Sequence, residues 1–106
     1  MKSTDLVASL AALAHPLRLE VFRALAVSGT AGMTPGVMQK ALQVPAATLS
    51  FHLKALAEAG LVTPDRSGRH LIYRPDCERV DVLAAYLAEH CGTRASIPAI
   101  AAERDA

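Results

Sequence analysis

The sequence predicts a mainly α-helical domain with one small β-hairpin, on three observations. Between residues 34 and 59, two short helical segments flank a tight Gln43-Val44-Pro45 turn. A glycine-tipped hairpin pattern follows at once, around Arg66-Ser67-Gly68-Arg69-His70. Segments with apolar residues at helical spacing lie on both sides of this block.

Each element has its own signal. Ser3 or Thr4 can cap a first helix, with Asp5 in its favourable first turn and Leu6, Leu10 and Leu13 as its apolar stripe. His15-Pro16 breaks that helix and restarts the next, since proline disfavours helix in the residue before it yet fits the first helical position. Leu17, Val21 and Leu25 continue the pattern with Phe22 beside them, and Ser28-Gly29 stops it. Thr34-Pro35 is a second cap-and-proline start, for a short helix ending near Leu42. A fourth helix is expected from about Ala46 to Ala59, closed by Gly60 in the left-handed conformation. Leu49, Leu53 and Leu56 give it a core face, leaving Thr48, Ser50, Phe51, His52, Lys54 and Ala55 opposite. Leu61-Val62-Thr63 and Leu71-Ile72-Tyr73 read as two strands around a turn tipped by Gly68. A last helix runs from Asp76 or Cys77 to Cys91 and stops at Gly92. Residues 1–92 form one domain on this reading, and residues 93–106, Ala-rich and interrupted by Pro98, form a disordered tail.

This order is that of a winged helix-turn-helix, which lays its second helix in the DNA major groove and a basic loop along the backbone. The charge distribution agrees in sign. Residues 1–44 and 45–74 each carry four cationic side chains against two acids, whereas residues 75–106 carry three against six. Hydrophobic residues make up 52% of the chain and aromatics only 4%, so the core must be built from Ala, Leu and Val. An apolar excess at this size points to burial against a second copy. The final helix, apolar around most of its circumference, is the natural place for it, so a homodimer through the terminal helices is expected. No run approaches the roughly 20 apolar residues that span a bilayer, so no membrane association is expected. A signal peptide is not expected after Met1-Lys2-Ser3-Thr4-Asp5, and two cysteines without a secretory signal suggest a reducing cytoplasm. No Ser-His-Asp, Cys-His or carboxylate pair stands in a catalytic context, and no glycine loop for phosphate is present, so no enzyme activity is expected.

Particular residues carry a family resemblance. Leu13-Ala14-His15-Pro16-Leu17-Arg18-Leu19, Leu49-Ser50-Phe51-His52-Leu53-Lys54-Ala55-Leu56, Ala59-Gly60-Leu61-Val62, Gly68-Arg69 and Tyr73 together resemble the ArsR/SmtB family of dimeric bacterial repressors. The resemblance covers residues 6 to 91. It implies a homodimer that sits on double-stranded operator DNA and leaves when an inducer binds. Carried over, Ala47, Thr48, Ser50, Phe51 and His52 would approach base edges, while Lys54, Arg66 and Arg69 would contact phosphates.

The resemblance also bears on sensing. The Cys-x-Cys pair that arsenic repressors of this family carry in the helix after Thr34 is absent, because that region reads Met33-Thr34-Pro35-Gly36-Val37-Met38. Other members sense through the C-terminal helix, where this chain has Cys77 at the start and Glu89-His90-Cys91 at the end. Fourteen residues of helix place the two thiols about 21 Å apart, so one subunit cannot chelate with both. Antiparallel packing of two such helices near Ala84 would bring Cys77 beside Cys91 and His90 of a second copy, twice by symmetry. Thiolates suit soft ions, so trivalent arsenic or antimony, or an organoarsenical needing two thiols, is the expected inducer. Zinc or another metal joined by His90, and a thiol redox switch, are the alternatives, and inert cysteines the bland one. No cofactor is required. His15 is expected to cap or pack, His70 to face solvent or phosphate, and Met33 and Met38 to fill the core.

Overall fold

The computed structural model describes residues 2–91, so the expected tail lies outside the described residues. Five helices and one hairpin follow in chain order: α1 (Ser3–Leu13), α2 (Pro16–Ser28), α3 (Pro35–Leu42), α4 (Ala46–Glu58), β1 (Val62–Ser67), β2 (His70–Pro75) and α5 (Cys77–Glu89). A single 3₁₀ turn, Gly29–Ala31, links α2 to α3.

The boundaries sit where capping chemistry puts them. The His15 ring accepts a hydrogen bond from the Leu17 N–H at 3.2 Å through Nδ1, with Pro16 first in α2. Thr34 Oγ1 accepts from the Val37 N–H, with Pro35 first in α3. Asp76 caps α5 by accepting from the Arg79 N–H at 3.0 Å. Each satisfies a donor that the helix itself leaves unpaired. The α3–α4 turn is tight because Gln43 takes a left-handed conformation, φ +55°.

α1 departs from expectation twice. Its cap residue is Lys2, with no side-chain bond, rather than Ser3 or Thr4. Its buried face is Leu6, Ser9 and Ala12, so Leu10 turns outward. The reason lies in Ser9, whose buried hydroxyl donates to the Ala59 carbonyl at 2.8 Å and holds α1 against the end of α4. Small side chains at positions 9 and 12 let the two backbones approach, which bulky leucines would prevent.

The core gathers Val21 and Leu25 from α2, Met38 from α3, Leu49, Leu53 and Leu56 from α4, and Leu61 after it. Met33 packs against it, half-buried. The hairpin is longer than expected: β1 and β2 pair from Val62↔Pro75 to Ser67↔His70, leaving Gly68-Arg69 as the loop. Asp65 and Arg66, read as turn residues, are paired strand residues. Tyr73 also exchanges both backbone hydrogen bonds with Met33, at 3.0 and 2.9 Å. That outward pairing explains Pro64 in β1, since it stands opposite Tyr73, whose N–H and C=O point away from it. Arg74 then ties the hairpin to the preceding loop, donating from Nε to the Thr30 carbonyl and pairing with Asp65 at 2.7 Å.

α5 is attached mainly by its first turns. The Asp76 N–H donates to the Leu61 carbonyl at 2.8 Å. The Arg79 guanidinium donates to Ser9 Oγ at 3.1 Å and to the Ala59 carbonyl at 3.5 Å. It lies across Gly60 (φ +78°), where an added Cβ would meet Arg79 Cζ at 2.7 Å. Leu83 is the helix's one buried residue, so most of its apolar surface stays open.

Candidate nucleic-acid interface

α4 presents an open stripe. Ala47, Ser50, Phe51 and Lys54 are exposed and fall at i, i+3, i+4 and i+7, one face of a helix, while Thr48 at its edge is half-buried. The hairpin carries two further cations, Arg66 and Arg69, both exposed. Lys54, Arg66 and Arg69 form no ion pair among the described residues, so their charges are available to an anionic partner. His70 is exposed beside them.

His52 does not share this face, and its assignment among the base-approaching residues is corrected. It is buried, at 7% exposure. Its Nδ1 accepts from Arg18 Nε at 3.0 Å, and its ring lies 4.6 Å from that of His15. The sequence held the signal: His52 comes three residues after Leu49 and four before Leu56, which places it on the core side. Arg18, which the sequence marks only as part of the Leu13–Leu19 motif, reaches the exposed stripe from α2. Its guanidinium carbon stands 5.7 Å from the centroid of the Phe51 ring.

Burial holds the His52 pKa below its ordinary value of 6.5, helped by the neighbouring His15 and Arg18. Between the folded and unfolded values the unfolded chain therefore binds more protons. The stability His52 contributes is complete above pH 6.5 and is lost as pH falls through 6.5 toward the folded pKa. Melting temperature should accordingly drop faster below pH 6.5 in the native chain than in His52→Gln, whose amide oxygen can still accept from Arg18 without titrating. Parallel profiles would assign the drop to another group.

The candidate sensing residues lie apart within one chain. Cys77 opens α5, but the helix ends at Glu89 rather than at the expected Cys91, which lies two residues beyond it in a turn; both thiols are free and exposed. His90 stacks on Tyr86, centroids 4.4 Å apart, with Nδ1 2.9 Å from the Tyr86 carbonyl oxygen. Among the described residues of a single chain, no three His, Cys, Asp or Glu side chains gather into a metal site. Apolar side chains on both terminal helices are left open, Val7 and Leu10 on α1 and Val82 and Leu87 on α5. No helix of the described residues is long and apolar enough to cross a membrane.

Helix-turn-helix, exposed recognition stripe and basic-tipped hairpin define the class: a winged helix-turn-helix domain. Comparison with known proteins agrees. A helix-turn-helix domain family matches residues 13–65. The HTH-type transcriptional repressor SmtB of Mycobacterium tuberculosis is 42% identical over 65 residues, 61% of this chain. The chain spans about half the length of that curated relative, 46% of it being matched. An ArsR-like transcriptional regulator from Rhodococcus sp. RHA1 superposes with a TM-score of 0.75 at 27% identity, covering 97% of this chain and 93% of that one. A possible transcriptional regulator for arsenical resistance gives 0.63 at 31% identity, covering 77% and 82%. The homodimeric winged helix-turn-helix DNA-binding domain of a possible ArsR-family regulator from Mycobacterium bovis gives 0.65 at 27% identity, covering 81% and 80%. The chain belongs to the ArsR/SmtB family of winged helix-turn-helix transcriptional regulators.

Proposed function

We propose that this protein is a homodimeric transcriptional repressor that binds double-stranded operator DNA in the cytoplasm and is released by an inducer held between the two α5 helices. The observation that carries the DNA reading is the exposed stripe Ala47, Ser50, Phe51 and Lys54 on the second helix of the helix-turn-helix, together with the exposed cations Arg66 and Arg69 on the wing. In this reading the α4 stripe, with Thr48 at its edge, enters the major groove, and the three cations lie along phosphates. The open apolar side chains of α1 and α5 supply the dimer contact, and a relative of the same fold is homodimeric.

For the inducer we favour trivalent arsenic or antimony, or an organoarsenical, held by Cys77 of one subunit and Cys91 of the other. Cys77, Ala84 and Cys91 repeat every seven residues, so a two-fold axis near Ala84 pairs the two thiols twice. The likeness to a possible arsenical-resistance regulator supports the same choice. Zinc, with His90 as a nitrogen ligand, is the alternative, and a thiol redox switch the next.

Fluorescence anisotropy on a duplex selected by the protein, with and without arsenite, antimonite or zinc, tests both halves. Tight, salt-dependent binding released by arsenite is the expected result. Arg66→Ala and Arg69→Ala should each weaken all duplexes alike and lower the slope of log affinity against log salt by about two per dimer, about one for each subunit. An unchanged slope would remove that residue from the phosphate contacts. Indifference to all three ions would end the metal-sensor reading while leaving DNA binding intact.

A further inference from the structure

Phe51 is the one aromatic residue on the α4 stripe, and it is 63% exposed. Its position is nevertheless held from two sides. The Arg18 guanidinium lies over the ring at 5.7 Å, and the His52 ring meets it at 5.3 Å in an edge-on arrangement. The holders are themselves fixed: Arg18 Nε donates to His52 Nδ1, His15 packs against His52, and the Leu17 N–H donates to His15. The junction between α1 and α2 thus orients one protruding apolar ring among small or flexible neighbours, Ala47, Ser50 and Lys54.

A phenyl ring offers neither donor nor acceptor to a base edge. The apolar group that base pairs display in the major groove is the 5-methyl of thymine. We infer that Phe51 is a specificity-determining residue that packs on a thymine 5-methyl group, and that Arg18 and His52 are positioning residues for its ring. The inference rests on the operator-binding reading and names what one residue of that surface reads.

The test begins with duplexes selected from a random pool by the full-length chain. Each thymine in the bound site is then replaced by deoxyuridine, which deletes the methyl group and leaves hydrogen bonding unchanged. Affinity should fall about four-fold at one thymine per half-site, the worth of one buried methyl. Phe51→Ala should bind thymine and deoxyuridine duplexes equally, whereas Phe51→Leu should keep part of the preference. Because the ring is exposed, neither variant should lose its helical circular dichroism. Arg18→Met should narrow the thymine-to-deoxyuridine ratio, a readout that general loss of stability does not move, and Arg18→Lys should restore part of it. Native protein indifferent to every methyl, or Phe51→Ala that still prefers thymine, overturns the inference. Failure to select any duplex would overturn the operator reading itself, an outcome visible before any methyl is removed.

Discussion

Gly32→Ala is expected to destabilise the fold by about 4 kcal/mol, a large share of the stability available to a domain of this size. Gly32 stands at φ +69° and ψ −171°, a region that residues with a Cβ essentially never occupy. The added Cβ would meet the Tyr73 carbonyl oxygen at 2.6 Å and Ile72 Cγ2 at 2.7 Å. Backbone cannot give way there, because the next residue, Met33, exchanges two hydrogen bonds with Tyr73. The approach of this loop to β2 also docks the wing on the helical body, so the same substitution should weaken DNA binding. Gly36→Ala is the matched control: it lies within α3 with nothing within 4 Å of an added Cβ. There alanine should stabilise by about 0.5–1 kcal/mol. Urea unfolding of both variants measures the contrast, and a Gly32→Ala midpoint near that of the native chain would refute the account.

On the proposed sensing site, Cys77→Ser and Cys91→Ser should each abolish the inducer response while leaving operator affinity in the absence of inducer unchanged. Inducer coupling of this type is worth about 5- to 150-fold in DNA affinity, and either variant should bring it to none. Each symmetric site needs one Cys77 and one Cys91, so a single substitution removes both sites. A mixed dimer of one Cys77→Ser subunit and one Cys91→Ser subunit rebuilds one site and should recover part of the response. If either homodimeric variant still responds normally, the site lies elsewhere. Arg79 gives such a site a direct route within each subunit. It stands two residues from Cys77 on α5, and its guanidinium reaches the carbonyl that ends α4. A displacement of α5 would therefore bear on the recognition helix without passing through any further side chain.

The parts of the fold legible in the sequence are those governed by neighbours in the chain. α2 and α3 begin at their predicted caps, α5 begins within the expected Asp76–Cys77 pair, and α4 ends where Gly60 turns left-handed. α1 was less legible because leucine is the stronger hydrophobic signal, yet close packing on Ala59 required Ser9 and Ala12 inward and Leu10 outward. The hairpin is longer than its composition suggests because Pro64, Asp65 and Ser67 are residues that favour turns. A solvent-flanked wing tolerates them as strand residues.

The candidate interface divides along the same line. Ser50, Phe51, Lys54, Arg66 and Arg69 were readable as a surface because helical periodicity and a glycine-tipped turn place them outward. His52 is the exception, since its spacing from Leu49 and Leu56 already marks it as inward, whereas nothing local marks the parts played by Arg18 and Arg79. Their roles depend on partners far away in the chain, 34 residues for Arg18 with His52 and 70 for Arg79 with Ser9. Sequence alone therefore determined the element order, the recognition helix and its likeness to a family of repressors, all consequences of capping, turn chemistry and apolar spacing. Only the tertiary structure decided which side chains hold the recognition helix in place and how α5 is joined to it. Those contacts exist only once packing has brought distant segments within hydrogen-bonding reach.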